Sequence, residues 1–382
     1  MARFTAKTLK GLEPILAAEL LALGAEHVSP GRRVVSFAGD KEVLYKANLC
    51  LRTALNILVP IHTVELTHAG DLYPAMRQVN WSAYLRVEQT FAIKATVFSN
   101  LFAHSNFPAL KLKDAIADWF RDKYGRRPSV DAARPNVLFD LHISEQTLTV
   151  SIDSSGDTLN KRGYRLHGGM APLNEVLAAG MLIMAGWPHL GPLHVPMCGS
   201  GTLAIEAACM SAGLPANRLR KSFGFHEWPD FDPALWNRVY SDCAMPVPKA
   251  TLQPTIMASD LAPDMVRLAR QNATTAGVEH LISWATGDFE KCKPNTDHGL
   301  VVVNPPYGER LKEDDLMALY KRMGDFLKRS FTGFDAWILS SNAEALKSVG
   351  LKPSAKITLF NGKLESKYVK FELYRGTKKQ KE

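Results

Sequence analysis

The sequence predicts an α/β protein: an open, mostly parallel sheet in the back half of the chain and two smaller α+β modules in the front half. Three observations carry that expectation. The apolar run Leu300-Val301-Val302-Val303 drives straight into Asn304-Pro305-Pro306-Tyr307, so a buried strand ends in a rigid polar-aromatic corner. Upstream of it, strand-like runs alternate with helical patterns, and each run ends in a polar or glycine-rich turn, as βαβ units do. Downstream, Asn361-Gly362 separates two alternating runs, a strong hairpin signal that ends the sheet with antiparallel strands.

At 382 residues the chain is long enough for two or three domains and a sizeable core. Its 46% hydrophobic and 22% charged content is that of an ordinary soluble protein. No apolar run approaches the ~20 residues of a membrane span, and Met1-Ala2-Arg3-Phe4-Thr5-Ala6-Lys7 lacks the apolar core of a secretory signal. A cytoplasmic protein without a membrane partner is expected. Cys50, Cys198, Cys209, Cys243 and Cys292 are scattered without a C-x-x-C pair, so neither a disulfide framework nor a metal site is expected. The net charge of +8 favours a polyanionic partner.

In the front half, Arg3 to Ala6 reads as a strand, and Gly11-Leu12-Glu13-Pro14 opens a helix that Gly24 stops. Val34 to Phe37 is a second strand, and Val43, Leu44, Ala47 and Leu51 mark a second helix. Strand, helix, strand, helix within residues 1–60 suggests a ferredoxin-like half domain. A second module, residues 61–155, contains a strand over 90–97, a helix from Pro108 to about Tyr124, and a hairpin over 137–153. Lys111, Lys113, Arg126 and Arg127 cluster on and after that helix, and clustered cations bind phosphate better than the same charge dispersed.

The back half, residues 156–382, begins with Arg162-Gly163-Tyr164-Arg165 and a helix with Pro172 in its first turn. His194-Val195 ends a short strand into Pro196-Met197-Cys198-Gly199-Ser200-Gly201-Thr202, whose paired glycines allow close backbone approach to a ligand at a helix start. An aromatic insertion follows, with Phe223, Phe225, Trp228, Phe231 and Trp236, expected to pack rather than to form a substrate flap. Further strands end at Asp260, just before Asp288, and at Asn304. Right-handed crossovers bring such strand ends to one rim. Asp260 suits two ribose hydroxyls and Asp288 an exocyclic adenine amine.

At the corner, two prolines fix φ and remove two backbone donors. What remains suits a planar group bearing an NH2: the Asn304 side-chain oxygen and the Pro305 carbonyl accept its hydrogens while Tyr307 stacks on the ring. The corner alone leaves the bases, and even a glutamine side chain, open.

With Pro196 to Thr202, Asp260, Asp288 and Asn304-Pro305-Pro306-Tyr307-Gly308-Glu309-Arg310 in place, the chain resembles the class I S-adenosylmethionine-dependent methyltransferases that modify exocyclic amines. More narrowly, it resembles the bacterial 23S ribosomal RNA guanine-N2 methyltransferases with an N-terminal THUMP domain. The resemblance implies a Rossmann-like methyltransferase sheet behind ferredoxin-like and THUMP modules. It implies S-adenosyl-L-methionine as cofactor, and 23S ribosomal RNA or a large-subunit precursor as partner. It places the cofactor on Pro196, Cys198, Gly199, Ser200, Gly201, Thr202, Asp260, Asp288 and Asn304, and catalysis on Asn304, Pro305, Pro306 and Tyr307. RNA contacts fall to Lys111, Lys113, Arg126, Arg127, Arg165 and Arg310. In some relatives a second methyltransferase is fused after this point; this sequence stops before it, so one active site is expected.

One position departs from the pattern: relatives carry Asp where this chain has Val195. Weaker cofactor binding than in a relative with Asp is expected unless another group substitutes. Other activities compatible with the corner are transfer RNA guanine-N2 methylation and DNA adenine-N6 methylation, and a non-catalytic RNA-binding assembly factor is a reading of a different class.

Overall fold

The computed structural model describes residues 1–104, 106–165, 172–244, 256–306 and 313–374. The front half contains β1 (Ala2–Thr8), α1 (Glu13–Ala22), β2 (Glu26–Gly31), β3 (Val34–Gly39), α2 (Lys41–Cys50), β4 (Ala54–Glu65), α3 (Leu72–Arg77), β5 (Thr90–Phe98), α4 (Asn106–Tyr124), β6 (Ser129–Val130), β7 (Val137–Ser144) and β8 (Thr147–Asp153). These strands form one eight-stranded sheet in the order β2-β3-β1-β4-β8-β7-β5-β6. The β4 strand runs through residue 60 and pairs antiparallel with both β1 and β8, so the two expected front modules share one sheet. The sequence reading lacked β2 and β4. The first is mostly exposed and carries Pro30, and the second has Pro60 in its middle, which blurs the alternation by which strands are found.

The back half contains α5 (Glu175–Met184), β9 (Leu193–Pro196), α6 (Thr202–Ser211), α7 (Pro233–Cys243), β10 (Ile256–Asp260), α8 (Pro263–Thr275), β11 (Ile282–Thr286), β12 (Gly299–Val303), α9 (Glu313–Ser330), β13 (Phe334–Ser340), α10 (Ala343–Ser348), β14 (Ala355–Asn361) and β15 (Leu364–Glu372). Seven strands pair in the order β11-β10-β9-β12-β13-β15-β14. All run parallel except β15, which lies antiparallel between β13 and β14. This is the expected Rossmann-like sheet with its terminal hairpin. The order reverses between β9 and β12, and the crevice at the carboxyl ends there is where such sheets bind ligands.

One correction concerns α5. Asn174, not Pro172, starts the helix, because its side chain accepts from the amides of Val176 and Leu177 at 2.9 and 3.3 Å. Pro172 lies two residues ahead of this cap. An Asn N-cap satisfies donors that proline can only omit.

Two cores cover the back sheet. Leu177, Met181, Leu193, Val195, Leu203, Ile205, Leu300 and Val302 belong to one, and Val301, Val303, Tyr320, Met323, Phe326, Phe331 and Ile338 to the other. Among the front residues in contact with the first core are Leu9 and Leu12, so the halves meet through apolar surface. The aromatic insertion reinforces the junction: Phe225 stacks on Tyr45 of α2 at 4.4 Å between ring centroids, and Trp236 meets the same ring edge-on at 5.9 Å. Lys41 and Glu42 of α2 pair with Asp230 and Arg238 at 2.8 and 3.0 Å. The insertion is packing, as expected, and its destination is the front half.

His194 of β9 is 2% exposed, edge-on to Phe331 and Phe334, and burial lowers its pKa from 6.5 to about 4. The unfolded chain therefore takes up this proton more readily than the native one. The associated stability is complete above about pH 6.5 and disappears as pH falls toward 4, a loss of up to about 3 kcal/mol. Denaturant melts of wild type and His194→Leu at pH 7, 5.5 and 4.5 check this; the variant should show the flatter profile.

Candidate active site

The carboxyl ends of β9, β10, β11 and β12 lie side by side, and each ends in or is followed by a candidate site residue. From β9 the chain enters the loop 197–201, where Met197, Gly199 and Gly201 have φ of 55°, 55° and 85°. Gly199 has nothing within 4 Å of where a Cβ would stand, leaving open space beside its backbone. Gly201 has the opposite surroundings: a Cβ would stand 2.9 Å from the Ala269 Cβ of α8. Gly201→Ala should therefore lower stability by about 1–3 kcal/mol, through both the left-handed φ and the clash, as a thermal melt would read.

Asp260, at the end of β10, holds this loop. Its Oδ2 accepts from the Gly199 amide at 2.9 Å and its Oδ1 from the Ala262 amide at 3.0 Å. The Cys198 amide donates to the Ser259 carbonyl at 2.9 Å. Two anchors were not anticipated from sequence. Asn272 of α8 donates through Nδ2 to the Ser200 carbonyl at 3.1 Å. Its signal was an asparagine on the buried face that includes Val266, Ala269 and Ala273. The other is Arg165, expected to meet RNA, which is turned inward instead. Its guanidinium contacts the Glu175 carboxylate at 2.6 Å, the Ser200 hydroxyl at 3.2 Å and the Thr202 hydroxyl at 3.2 Å.

Leu261, also overlooked, follows Asp260 and is 69% exposed. A large apolar side chain left in solvent beside a strand end leaves apolar surface open to contact. Its signal was an aliphatic residue directly after the strand-ending acid.

Asp288 lies beyond β11, but its oxygens are engaged: Oδ1 accepts from the Glu290 amide at 3.0 Å and Oδ2 pairs with Arg322 at 2.7 Å. Arg322 also pairs with Glu290 at 2.7 Å. Cys198 is buried, and burial pushes its thiol pKa up, which removes it as a nucleophile. Val195 is 1% exposed, beside Ala258 in the sheet, and gives the loop no side-chain acceptor.

Asn304 directly follows β12. Its Oδ1 is buried and has no hydrogen-bond partner among the described residues. Burying such an acceptor without a partner costs about 1–3 kcal/mol, and exceptions of this kind call for an explanation. Pro305 is buried beside it and Pro306 is half-buried. Tyr307 and Arg310 lie outside the described residues.

The expected RNA-binding residues on the front half are surface groups. Lys111 sits over the Phe107 ring at 5.6 Å, Lys113 pairs with Asp114 at 2.9 Å, and Arg126 meets Glu88 at 3.5 Å. Arg127 is exposed. Among the described residues no group of three or more His, Cys, Asp or Glu could hold a metal ion, and no helix is long and apolar enough to cross a membrane.

Residues 162–370 match the model of the RMKL-like methyltransferase domain. The chain belongs to this methyltransferase family. Residues 67–153 match the THUMP domain, and residues 3–58 match the RlmL ferredoxin-like domain. The chain is 38% identical over 97% of its length to slr0064 of Synechocystis, named for RNA methyltransferase activity, and covers 97% of that protein. It is also 38% identical to the ribosomal RNA large subunit methyltransferase K/L of Syntrophotalea carbinolica, over 97% of this chain but 53% of that one. The chain thus spans about half the length of its K/L relatives. The structure of SMU.472, named as a methyltransferase and complexed with S-adenosylhomocysteine (SAH), superposes with a TM-score of 0.86 at 27% identity, covering 98% of this chain and 99% of that one.

Proposed function

We propose that this chain transfers a methyl group from S-adenosyl-L-methionine to the exocyclic N2 of a guanine in 23S ribosomal RNA. The observation that carries the reading is the buried Oδ1 of Asn304, without a hydrogen-bond partner among the described residues, at the strand end beside the switch point. An acceptor kept dry and unpaired is suited to an amine that arrives with the substrate. Asn304 and the Pro305 carbonyl accept the two N–H groups of that amine, which directs the nitrogen lone pair outward, and Tyr307 stacks on the base. Bound in the neighbouring loop, the cofactor supplies a methyl already activated on a sulfonium. The protein's task is then alignment and exclusion of water.

In this reading the loop 196–202 seats the methionine end of the cofactor, Asp260 the ribose, and Leu261 one face of the adenine. Each Asp260 oxygen accepts one backbone amide and so retains capacity for a ribose hydroxyl. Asp288 supports the adenine end and acts from within its Arg322 pair. Guanine N2 is shielded in a helix, so the nucleotide must be extruded or unpaired. Residues 1–60 and 61–155 form the RNA-binding half, through Lys111, Lys113, Arg126 and Arg127, and residues 156–382 the methyltransferase. A ribosomal substrate places the enzyme in the cytoplasm.

The SAH complex of SMU.472 supports the cofactor. The THUMP match and the K/L relatives support RNA as the polymer. Tritium transfer from labelled cofactor to deproteinised 23S ribosomal RNA, transfer RNA and duplex DNA, with nucleoside analysis of the product, tests the whole reading. N2-methylguanosine in the ribosomal RNA is the expected product. Label in DNA as N6-methyladenine, in transfer RNA alone, or in none of the three would overturn it.

A further inference from the structure

The segment 162–165 leads out of the front half toward the methyltransferase sheet; Arg162 and Tyr164 both reach Glu206 Oε1 of α6, at 3.5 and 3.0 Å, while Arg165 reaches the loop before it. Arg162, with a side chain 1% exposed, faces the junction between the halves. It donates to the Leu159 carbonyl at 2.8 Å and Asn217 Oδ1 at 3.1 Å, and also to the Arg52 carbonyl. Tyr164 is buried and donates its hydroxyl hydrogen to Glu206 Oε1 of α6 at 3.0 Å. Arg165 reaches the loop between β9 and α6. Its Nε and Nη2 both engage Glu175 Oε1, at 3.1 and 2.6 Å, while Nη1 reaches the Ser200 hydroxyl and Nη2 the Thr202 hydroxyl.

Two features distinguish this arrangement from a cation waiting for phosphate. The Arg165 side chain is only 17% exposed, and its charge is matched by a carboxylate that is itself 8% exposed. What it presents to the loop is a rigid fork of N–H donors whose position Glu175 sets from the first turn of α5. Ser200 is consequently fixed on two sides, its hydroxyl by Arg165 and its carbonyl by Asn272. Val195 offers no acceptor, and among the described residues the side chains that anchor this loop are those of Asp260, Asn272 and Arg165.

We propose that Arg165, oriented by Glu175, is a positioning residue for the cofactor loop: it fixes Ser200 and Thr202 so that the loop amides and the start of α6 hold the geometry the cofactor needs. This rests on reading the loop as the cofactor site. Lysine cannot reproduce it, because a single ammonium on a flexible stem does not span two hydroxyls while bound to a carboxylate.

The test is titration calorimetry of the full chain with S-adenosylhomocysteine, alongside steady-state kinetics with ribosomal RNA and a thermal melt of each variant. Arg165→Ala should raise the Kd for S-adenosylhomocysteine and the KM for S-adenosylmethionine at least tenfold, with the KM for RNA within twofold of wild type. Arg165→Lys should recover less than half of that loss on a logarithmic scale. Ser200→Ala, which removes the partner hydroxyl and leaves the ion pair, keeps the test available where Arg165→Ala fails to fold, and should raise the same Kd about threefold or more. Combined with Arg165→Ala it should add less than twofold. Unchanged cofactor affinity in both Arg165→Ala and Ser200→Ala, with a raised KM for RNA, would overturn the clamp and return Arg165 to the RNA surface. If wild type binds no S-adenosylhomocysteine, or Asp260→Ala binds it as tightly as wild type, the site reading itself falls, and the clamp with it.

Discussion

Replacing Asn304 with alanine is expected to lower kcat for methyl transfer on the order of 10²–10³-fold, the usual effect of removing one oriented polar group from a reacting centre. The Kd for S-adenosylhomocysteine should stay within about threefold. Stability should be unchanged or rise by about 1 kcal/mol, because the deleted Oδ1 is a buried acceptor with no partner among the described residues. That combination separates a substrate-positioning group from a structural cap, whose loss would lower the melting temperature. Asn304→Asp keeps an acceptor but puts a charge on the buried Oδ1 position, so its activity should fall too and its stability should drop. Single-turnover kinetics, calorimetry and a thermal melt on the same preparations read all three quantities. Near wild-type turnover in Asn304→Ala would remove the residue from the mechanism.

Asp260→Ala should have the next largest effect, and of a different kind. The carboxylate accepts the Gly199 and Ala262 amides at 2.9 and 3.0 Å, so it organises the loop before any ligand arrives. Hydrogen bonds to charged groups contribute about 1.5–3 kcal/mol each. Losing the loop anchor together with the proposed ribose contacts should raise the Kd for S-adenosylhomocysteine on the order of 100-fold. The melting temperature should fall as well, since two backbone amides lose their acceptor. Asp260→Asn keeps an acceptor oxygen and should fall between the two. Calorimetry with S-adenosylhomocysteine and with adenosine alone distinguishes the contributions: adenosine binding should suffer if the ribose contact is real, and be spared if Asp260 serves only the loop.

Much of the methyltransferase half was legible because its signals are local. The run 300–303 is apolar and three of its residues are valine, as suits a strand buried on both faces, and it emerges as β12 between β9 and β13. Asn361-Gly362 marks a turn that two strands enclose, with φ of 64° at the glycine. Asp260 and Asn304 were legible for the same reason, since one ends and the other directly follows a largely apolar strand. The front half was less legible where prolines and exposure break alternation, at β2 and at β4.

The residues misread at the site are those whose partners lie far away in sequence. Arg165 was expected at the RNA only from the family resemblance; Glu175, Ser200 and Thr202 turn it inward. Asp288 carried the expected acid at the expected strand end, yet Arg322, 34 residues away, occupies one of its oxygens. Asn272 and Leu261 gave only weak signals, one polar residue on an apolar helix face and one apolar residue on a polar rim. By itself, then, the sequence determined the parallel strands of the methyltransferase sheet and their order in the chain, the corner at Asn304 and the glycine loop, because periodicity and turn chemistry act over a few residues. Only the tertiary structure decided which polar groups are already paired and which, like Asn304 Oδ1, have no partner among the described residues, because pairing depends on distances between elements that the chain order does not specify.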